Sequence, residues 1–179
     1  MTSVDVDDRK LELTRVASVL IAITDSKSAP EIILTQRSES MPTHSGQVAF
    51  PGGRWEASDR NLAQTAIRES KEEIGLAPAL VNLRGRLQER PSISGLMVYP
   101  FVASVPDELD LVPDPSETQA IFRVPLSFFV DTKPEIKDKV ERDGIRFQVP
   151  AWYFQDYEIW GLTAFFLQDL VKRLNHDTD

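Results

Sequence analysis

The sequence predicts an α+β domain, with a mixed β-sheet sandwiched between α-helices. Three observations carry that expectation. The apolar, β-branched runs TRVASVLIAIT (14–24) and EIILTQ (31–36) have the length and composition of buried strands. Two longer stretches, 60–74 and 160–174, repeat apolar residues at helical spacing instead. No internal repeat, low-complexity tract or linker divides the 179 residues, so one domain over 1–179 accounts for the chain.

Taken in order, residues 1–11 form a polar lead-in and 14–24 the first strand. A turn over Asp25 to Pro30 leads to the second strand, 31–36. A polar loop containing Pro42 and Gly46 follows, then a short strand QVAF (47–50) that stops at Pro51-Gly52-Gly53. Residues 54–59 connect to a helix over 60–74, capped by Asp59 or Ser58 and ended by Gly75. Ala63, Ala66, Ile67, Ser70 and Ile74 form its core stripe, and Glu69, Glu72 and Glu73 border that stripe. Residues 79–88 and 95–104 read as strands, and the acidic, Pro-rich 105–118 as a surface loop. A strand running into a helical turn is expected at 121–129. Another strand is expected at 145–154, near a sheet edge because of Pro150. The helix of 160–174 closes the chain, with Leu162, Phe165, Phe166, Leu170 and Leu174 on one side.

Composition narrows the chemistry. A hydrophobic fraction of 41% with 27% charged residues is that of a globular chain. With no cysteine, disulfides, thiolate metal sites and a cysteine nucleophile are excluded. The formal net charge of −8 argues against a broad nucleic-acid surface. No apolar run is long enough for a membrane span, and the acidic N-terminus does not resemble a signal peptide. The expectation is a cytoplasmic protein without nucleic-acid or membrane partners.

The stretch RESKEEIG (68–75) crowds Glu69, Glu72 and Glu73 into about one helical turn and a half. Like charges at spacings of three and four destabilise a helix. Two readings account for them: a solvated face, or a cradle for a hard divalent cation, which takes oxygen ligands and keeps room for waters and phosphates. Phosphate esters and anhydrides need such neutralisation, because a nucleophile must approach an anion. The Gly-Gly pair ahead of the helix is consistent with the second reading.

Gly53, Arg68-Glu69, Glu72-Glu73 and Gly75-Leu76 resemble the signature of the Nudix hydrolases. Ser70 stands where that signature has an apolar residue. Asp59 stands in for its first Glu, with eight residues rather than seven before Arg68. Upstream, LTQRSESMPTHSGQVAFPGG (34–53) is similar to the motif of the coenzyme A pyrophosphatase subgroup. Ile33 to Thr35, Arg37, Ser38, Gly46, Phe50, Pro51, Gly52 and Gly53 fall at its spacings, while Pro42 replaces its second Arg. SGLMVYPFVA (94–103) and IWGLTA (159–164) look like the same subgroup.

The resemblance implies a Nudix fold and hydrolysis of coenzyme A or acyl-coenzyme A to 3′,5′-ADP and (acyl-)4′-phosphopantetheine. It implies Mg²⁺ or Mn²⁺ as cofactor, held by Glu69 and Glu73, with Glu72 joining directly or through water and the Gly52 carbonyl adding a ligand. Glu69, Glu72 and Glu73 are the candidate catalytic residues. Arg37, His44, Gly46, Gln47 and Phe50 are the candidate substrate contacts. Arg68 is expected to brace a neighbouring carboxylate. The general base is left among Glu69, Glu117 and Glu158. Core burial is the expectation for Trp55, Trp152 and Trp160. A small-molecule nucleotide is the expected partner, and a homodimer is a common assembly in such a family. Pro42 leaves open another nucleoside diphosphate such as ADP-ribose. A non-catalytic nucleotide-binding module is the remaining alternative, and its usual mark would be loss of the carboxylates retained here.

Overall fold

The computed structural model describes residues 15–39, 46–140 and 146–176. The expected lead-in, Pro42 and His44 lie outside the described residues. Along the chain, β1 (Val16–Thr24), β2 (Glu31–Arg37), β3 (Val48–Ala49) and β4 (Gly52–Arg54) precede helix α1 (Leu62–Ile74). Next come β5 (Asn82–Arg86), β6 (Arg90–Pro91), β7 (Met97–Val105) and β8 (Thr118–Pro125). The chain ends with α2 (Leu126–Asp131), β9 (Glu135–Val140), β10 (Arg146–Phe154), β11 (Tyr157–Trp160) and α3 (Gly161–His176).

β1 is the axis of the main sheet. It pairs in parallel with β7 along its whole length, from Val16↔Met97 to Thr24↔Val105. Its other edge is shared by two antiparallel partners, β2 near Ile23 and β4 over Ala17 to Val19. The order β3-β2-β1-β7-β5 is completed by β4 on β1, β8 on β2 and β6 on β7, and the eight-stranded sheet is mixed. β9, β10 and β11 form a separate three-stranded antiparallel sheet.

Strand alternation sends β1 side chains to two cores. Val16, Leu20 and Ala22 pack with Leu62, Ala63, Ala66 and Ile74 of α1 and with Tyr99, Phe101 and Ala103 of β7. Ala17 and Ile21 point the other way, towards Trp152 and Ile159 of the small sheet and Phe166, Leu167 and Leu170 of α3. Helices thus cover both faces of a mixed sheet, as the sequence predicts.

Four local expectations are corrected. Gly52 to Arg54 form a strand, not a turn and loop, because β1 offers an open edge there. The strand expected over 79–88 starts only at Asn82, after a 3₁₀ turn at Pro78–Leu80. β6, β9 and β11 are additional to the strands that the sequence predicts. Pro150 sits in the central strand of the small sheet rather than at an edge. Pairing with β11 stops at Ala151↔Trp160, so at Pro150 only β9 is a partner, and a missing N–H is tolerated there.

Candidate active site

Helix α1 is held at both ends. Its N-cap is Asn61, not Asp59 or Ser58: the Asn61 side chain accepts from the Gln64 N–H at 2.9 Å. At the other end Gly75 takes φ 69°, and the Gly75 and Leu76 N–H groups return to the carbonyls of Lys71 and Ser70. Ser70, polar where the family pattern is apolar, is fully buried and spends its hydroxyl on the Ala66 carbonyl at 2.7 Å.

The three glutamates occupy three environments. Glu73 is not a border residue: it is 4% exposed and belongs to the buried stripe. It lies seven residues beyond Ala66, a rotation within about 20° of two full turns. Glu69 is half-buried, with a side chain 14% exposed, and Glu72 points outward, 55% exposed.

Neither glycine before the helix has room for a Cβ: Gly52 lies against the β1 main chain and Gly53 against the Glu69 carboxylate. A Cβ on Gly52 would meet the Ser18 carbonyl oxygen at 2.3 Å, and one on Gly53 would meet the Glu69 carboxylate at 2.5 Å. The Gly52 N–H donates to Glu73 Oε2 at 3.2 Å. Burial pushes the Glu73 carboxyl up to about 8, against the pull of the Gly52 N–H and Arg37 and with the help of the Glu69 and Glu117 charges. Burial also raises Glu69. Arg68 opposes that rise, and the charges of Glu72 and Glu117 add to it.

Arg68 braces, as expected, but its main partner is Asp59. Arg68 Nε and Nη2 donate to Asp59 Oδ1 and Oδ2 at 2.9 and 3.0 Å, a two-pronged pair. Nη1 reaches Glu69 at 3.1 Å and Glu72 at 3.0 Å, and Nη2 also reaches the Arg54 carbonyl at 3.0 Å. Asp59 is 7% exposed and further accepts from the Glu56 N–H and Thr65 Oγ1. Burial alone would raise its pKa, but the Arg68 pairing and these hydrogen bonds outweigh burial and lower it. Asp59 therefore holds the guanidinium that in turn holds two of the three glutamates.

The other predicted site residues divide. Arg37, at the end of β2, brings Nη1 to 3.9 Å from Glu73 Oε1, and its buried Nε has no hydrogen-bond partner among the described residues. Gly46, at φ 69°, and Gln47 lie across from it: the Gly46 N–H donates to the Arg37 carbonyl and the Arg37 N–H to the Gln47 carbonyl. Phe50 is 3% exposed and packs in the core on the α3 side. Of the two later carboxylates, Glu117 acts on Glu69 and Glu73 through its charge. Glu158 instead is ion-paired with Lys137 and bonded by Tyr153 in the small sheet. Trp152 is core, as expected, with its Nε1–H on the Thr132 carbonyl at 2.8 Å. Sequence reasoning missed Ser18, fully buried on the α1 side with an unpartnered hydroxyl among the described residues. Its signal was a lone hydroxyl inside VASVLIAI.

Among the described residues no three His, Asp or Glu side chains converge into a ready cation cage. Glu72 is drawn outward to Arg68, which leaves Glu69 and Glu73 as the inward pair. That pair still suits a hard divalent ion. It offers two carboxylates one helical turn apart, and the buried one meets the Arg37 guanidinium only at 3.9 Å. Among the described residues no helix is long and apolar enough to cross a membrane.

Comparison with known proteins agrees with this geometry. A family model for the NUDIX domain matches residues 14–143. A Photorhabdus laumondii protein described as an uncharacterized Nudix hydrolase, NudL, is 36% identical over 160 residues, covering 89% of this chain and 85% of its own length. A Yersinia enterocolitica protein of the same description is 34% identical over 159 residues, covering 89% and 81%. Two solved structures share the fold at low identity. The MutT protein of Methanosarcina mazei has TM-score 0.57, 15% identity and coverage of 92% and 94%. The NUDIX domain of Shewanella oneidensis NrtR, solved with ADP ribose, has TM-score 0.56, 13% identity and coverage of 98% and 95%. With a family model over most of its length and relatives above 30% identity, the chain belongs to the Nudix hydrolase family.

Proposed function

We propose that this chain hydrolyses the diphosphate bond of coenzyme A or acyl-coenzyme A, giving 3′,5′-ADP and (acyl-)4′-phosphopantetheine. The observation that carries the reading is the buried Glu73 carboxylate against Gly52, with Arg37 at 3.9 Å. In sequence, Ile33 to Thr35, Arg37, Ser38, Gly46 and Phe50 to Gly53 fall at the spacings of the coenzyme A pyrophosphatase motif. Glu69 and Glu73 would hold Mg²⁺ or Mn²⁺, with the Gly52 carbonyl adding a ligand and Glu72, turned out to Arg68, joining through water. Once bound, such an ion supplies Lewis acidity to a phosphoryl oxygen.

The protein's own groups do the rest. Arg37 offers a forked donor to a substrate phosphate, and its unpartnered Nε–H suits that task. Asp59 and Arg68 keep Glu69 in place. Glu117 and Glu69 are the candidates for taking a proton from the attacking water. Pro42 favours a second reading, another nucleoside diphosphate such as ADP-ribose, because a cation of the coenzyme A motif is missing there.

Incubation with Mg²⁺ or Mn²⁺ and a panel of coenzyme A, acyl-coenzyme A, NADH, ADP-ribose and diadenosine polyphosphates tests the proposal. Release of 3′,5′-ADP with the highest kcat/KM on a coenzyme A compound is expected. Preference for ADP-ribose would replace the first reading with the second. Tight binding without turnover of any compound would make the chain a nucleotide-binding module.

A further inference from the structure

The acidic segment between β7 and β8 reads as a surface loop, yet it is fastened to the catalytic helix. The Val112 N–H donates to the Ile74 carbonyl at 3.0 Å and the Asp114 N–H to the Glu73 carbonyl at 2.9 Å. Both carbonyls belong to the last turn of α1, which has no helical donors for them. Asp114 then turns the chain. Its carbonyl accepts from the Glu117 and Thr118 N–H groups at 3.1 and 2.7 Å. Its Oδ1 accepts from the Ser116 N–H and Oγ at 2.9 and 2.7 Å. The Glu117 carbonyl accepts from the Ser38 N–H at 2.9 Å. A chain of hydrogen bonds therefore runs from the main chain of Glu73, through Asp114 and Glu117, to the residue next to Arg37.

The other end of this tie is irregular. Thr118 pairs with Arg37, and the β2–β8 register shifts between Gln36 and Arg37. Register shifts of this kind bend a strand and re-aim its side chains. Glu73 and Arg37 sit on different elements, yet their charged ends lie 3.9 Å apart.

We infer that Asp114 is a positioning residue, whose turn sets the spacing between Glu73 and Arg37. It thereby sets the distance between the metal-binding carboxylate and the guanidinium that meets the substrate phosphate. The inference rests on the metal and diphosphate reading above. Asn at this position keeps the Oδ1 acceptor, whereas Ala removes it.

The test compares wild type, Asp114→Ala and Asp114→Asn by Mn²⁺ titration of the purified protein, by thermal melting without metal, and by kcat/KM on whichever substrate the panel identifies. Asp114→Ala is expected to weaken Mn²⁺ binding and kcat/KM by about tenfold each, the scale of groups that orient metal ligands. Its melting temperature is expected to stay close to that of wild type. Asp114→Asn is expected to restore both readouts to within about twofold of wild type. Amide exchange at Ser38 should speed up in the Ala variant only. If Asp114→Ala does not fold, Ser116→Ala, which removes one of the two bonds to the same oxygen, is read instead, with a smaller loss of the same kind expected. The inference is overturned if the Ala variant matches wild type in Mn²⁺ affinity and kcat/KM. It is also overturned if the Asn variant is as impaired as the Ala variant, since charge and not the turn would then matter. Failure of the wild type to bind Mn²⁺ is a distinct result, because it removes the metal reading and the inference with it.

Discussion

The two faces of the main sheet are built from the same strands and packed in opposite ways. On the α3 face Phe129, Trp152, Ile159, Phe166, Leu167 and Leu170 form an aromatic-rich core, with Phe129 and Trp152 edge to face at 5.4 Å. The one indole N–H in that group is paired. On the α1 face, Ser18, Asp59, Thr65, Ser70 and Glu73 are buried polar or charged groups among the apolar residues. Burying a charge without a full partner costs stability. The difference teaches that one face secures the fold, and the other gives up some stability to keep polar and charged groups out of water.

The sharpest way to break this comparison is to strike one residue on each face. Phe166→Ala should cost about 3–5 kcal/mol of stability, read from denaturant melts, with kcat unchanged in the protein that stays folded. Glu73→Gln should do the reverse: kcat/KM falls about a thousandfold, roughly 4 kcal/mol of transition-state stabilisation, without loss of stability. A Glu73→Gln variant that unfolds, or one that keeps full activity, would make the α1 face structural.

A smaller effect is expected at Asp59, where the two roles meet. Asp59→Asn leaves Arg68 without its main carboxylate and should cost about 1–3 kcal/mol in melts, with a parallel fall in kcat as Glu69 loses its brace. Unchanged kcat in a destabilised Asp59→Asn variant would confine this pair to folding.

Acidity gives a gentler readout. The Glu73 carboxyl is held up to about 8 in the folded chain, while an unfolded Glu titrates near 4.3. Between those values the folded state keeps a proton that the unfolded state has released. Stability of the metal-free protein should therefore fall as pH rises through this window. Melts in a chelator from pH 5 to 8 should show that slope, and Glu73→Gln should flatten it. An equal slope in both proteins would mean that Glu73 is ionised when buried.

The smallest effect belongs to Ser18. Because its hydroxyl has no partner among the described residues, Ser18→Ala should be neutral or stabilising by less than about 1 kcal/mol. A clear loss of melting temperature would show that the hydroxyl is bonded in solution.

Much of this is legible in the sequence, and the reasons differ by element. β1, β2, β7, α1 and α3 carry long apolar periodicities, which need no tertiary knowledge to read. β9 (EIKDKV) carries none: charged residues fill it, and it is a strand because β10 pairs with it. β4 (GGR) is poor in strand formers and is ordered by the open edge of β1. Pattern alone finds the glutamates but not their division, since Glu73 is buried by the sheet beneath it rather than by its neighbours in sequence. Asp59 reads as a helix cap because Asp often is one. Its bond to Arg68, nine residues on, depends on how the loop folds back. The fastening of the 106–117 segment to the end of α1 is unreadable for the same reason, since its bonds to Glu73 and Ile74 are made by backbone N–H groups, which carry no residue identity.

The parallel pairing of β1 with β7 also bears on how the molecule reaches its native state. Residues in register there are separated by about eighty positions, and closing so long a segment is slow. Helix α1 lies inside that segment, and its apolar stripe docks on Leu20 and Ala22 of the early strand and on Tyr99 and Phe101 of the late one. During synthesis β1 leaves the ribosome long before its partner exists, and the surface on which the apolar stripe of α1 docks is incomplete until β7 arrives. A nascent chain stalled before residue 97 would hold the whole glutamate motif and still lack Tyr99 and Phe101, half of the surface on which α1 docks.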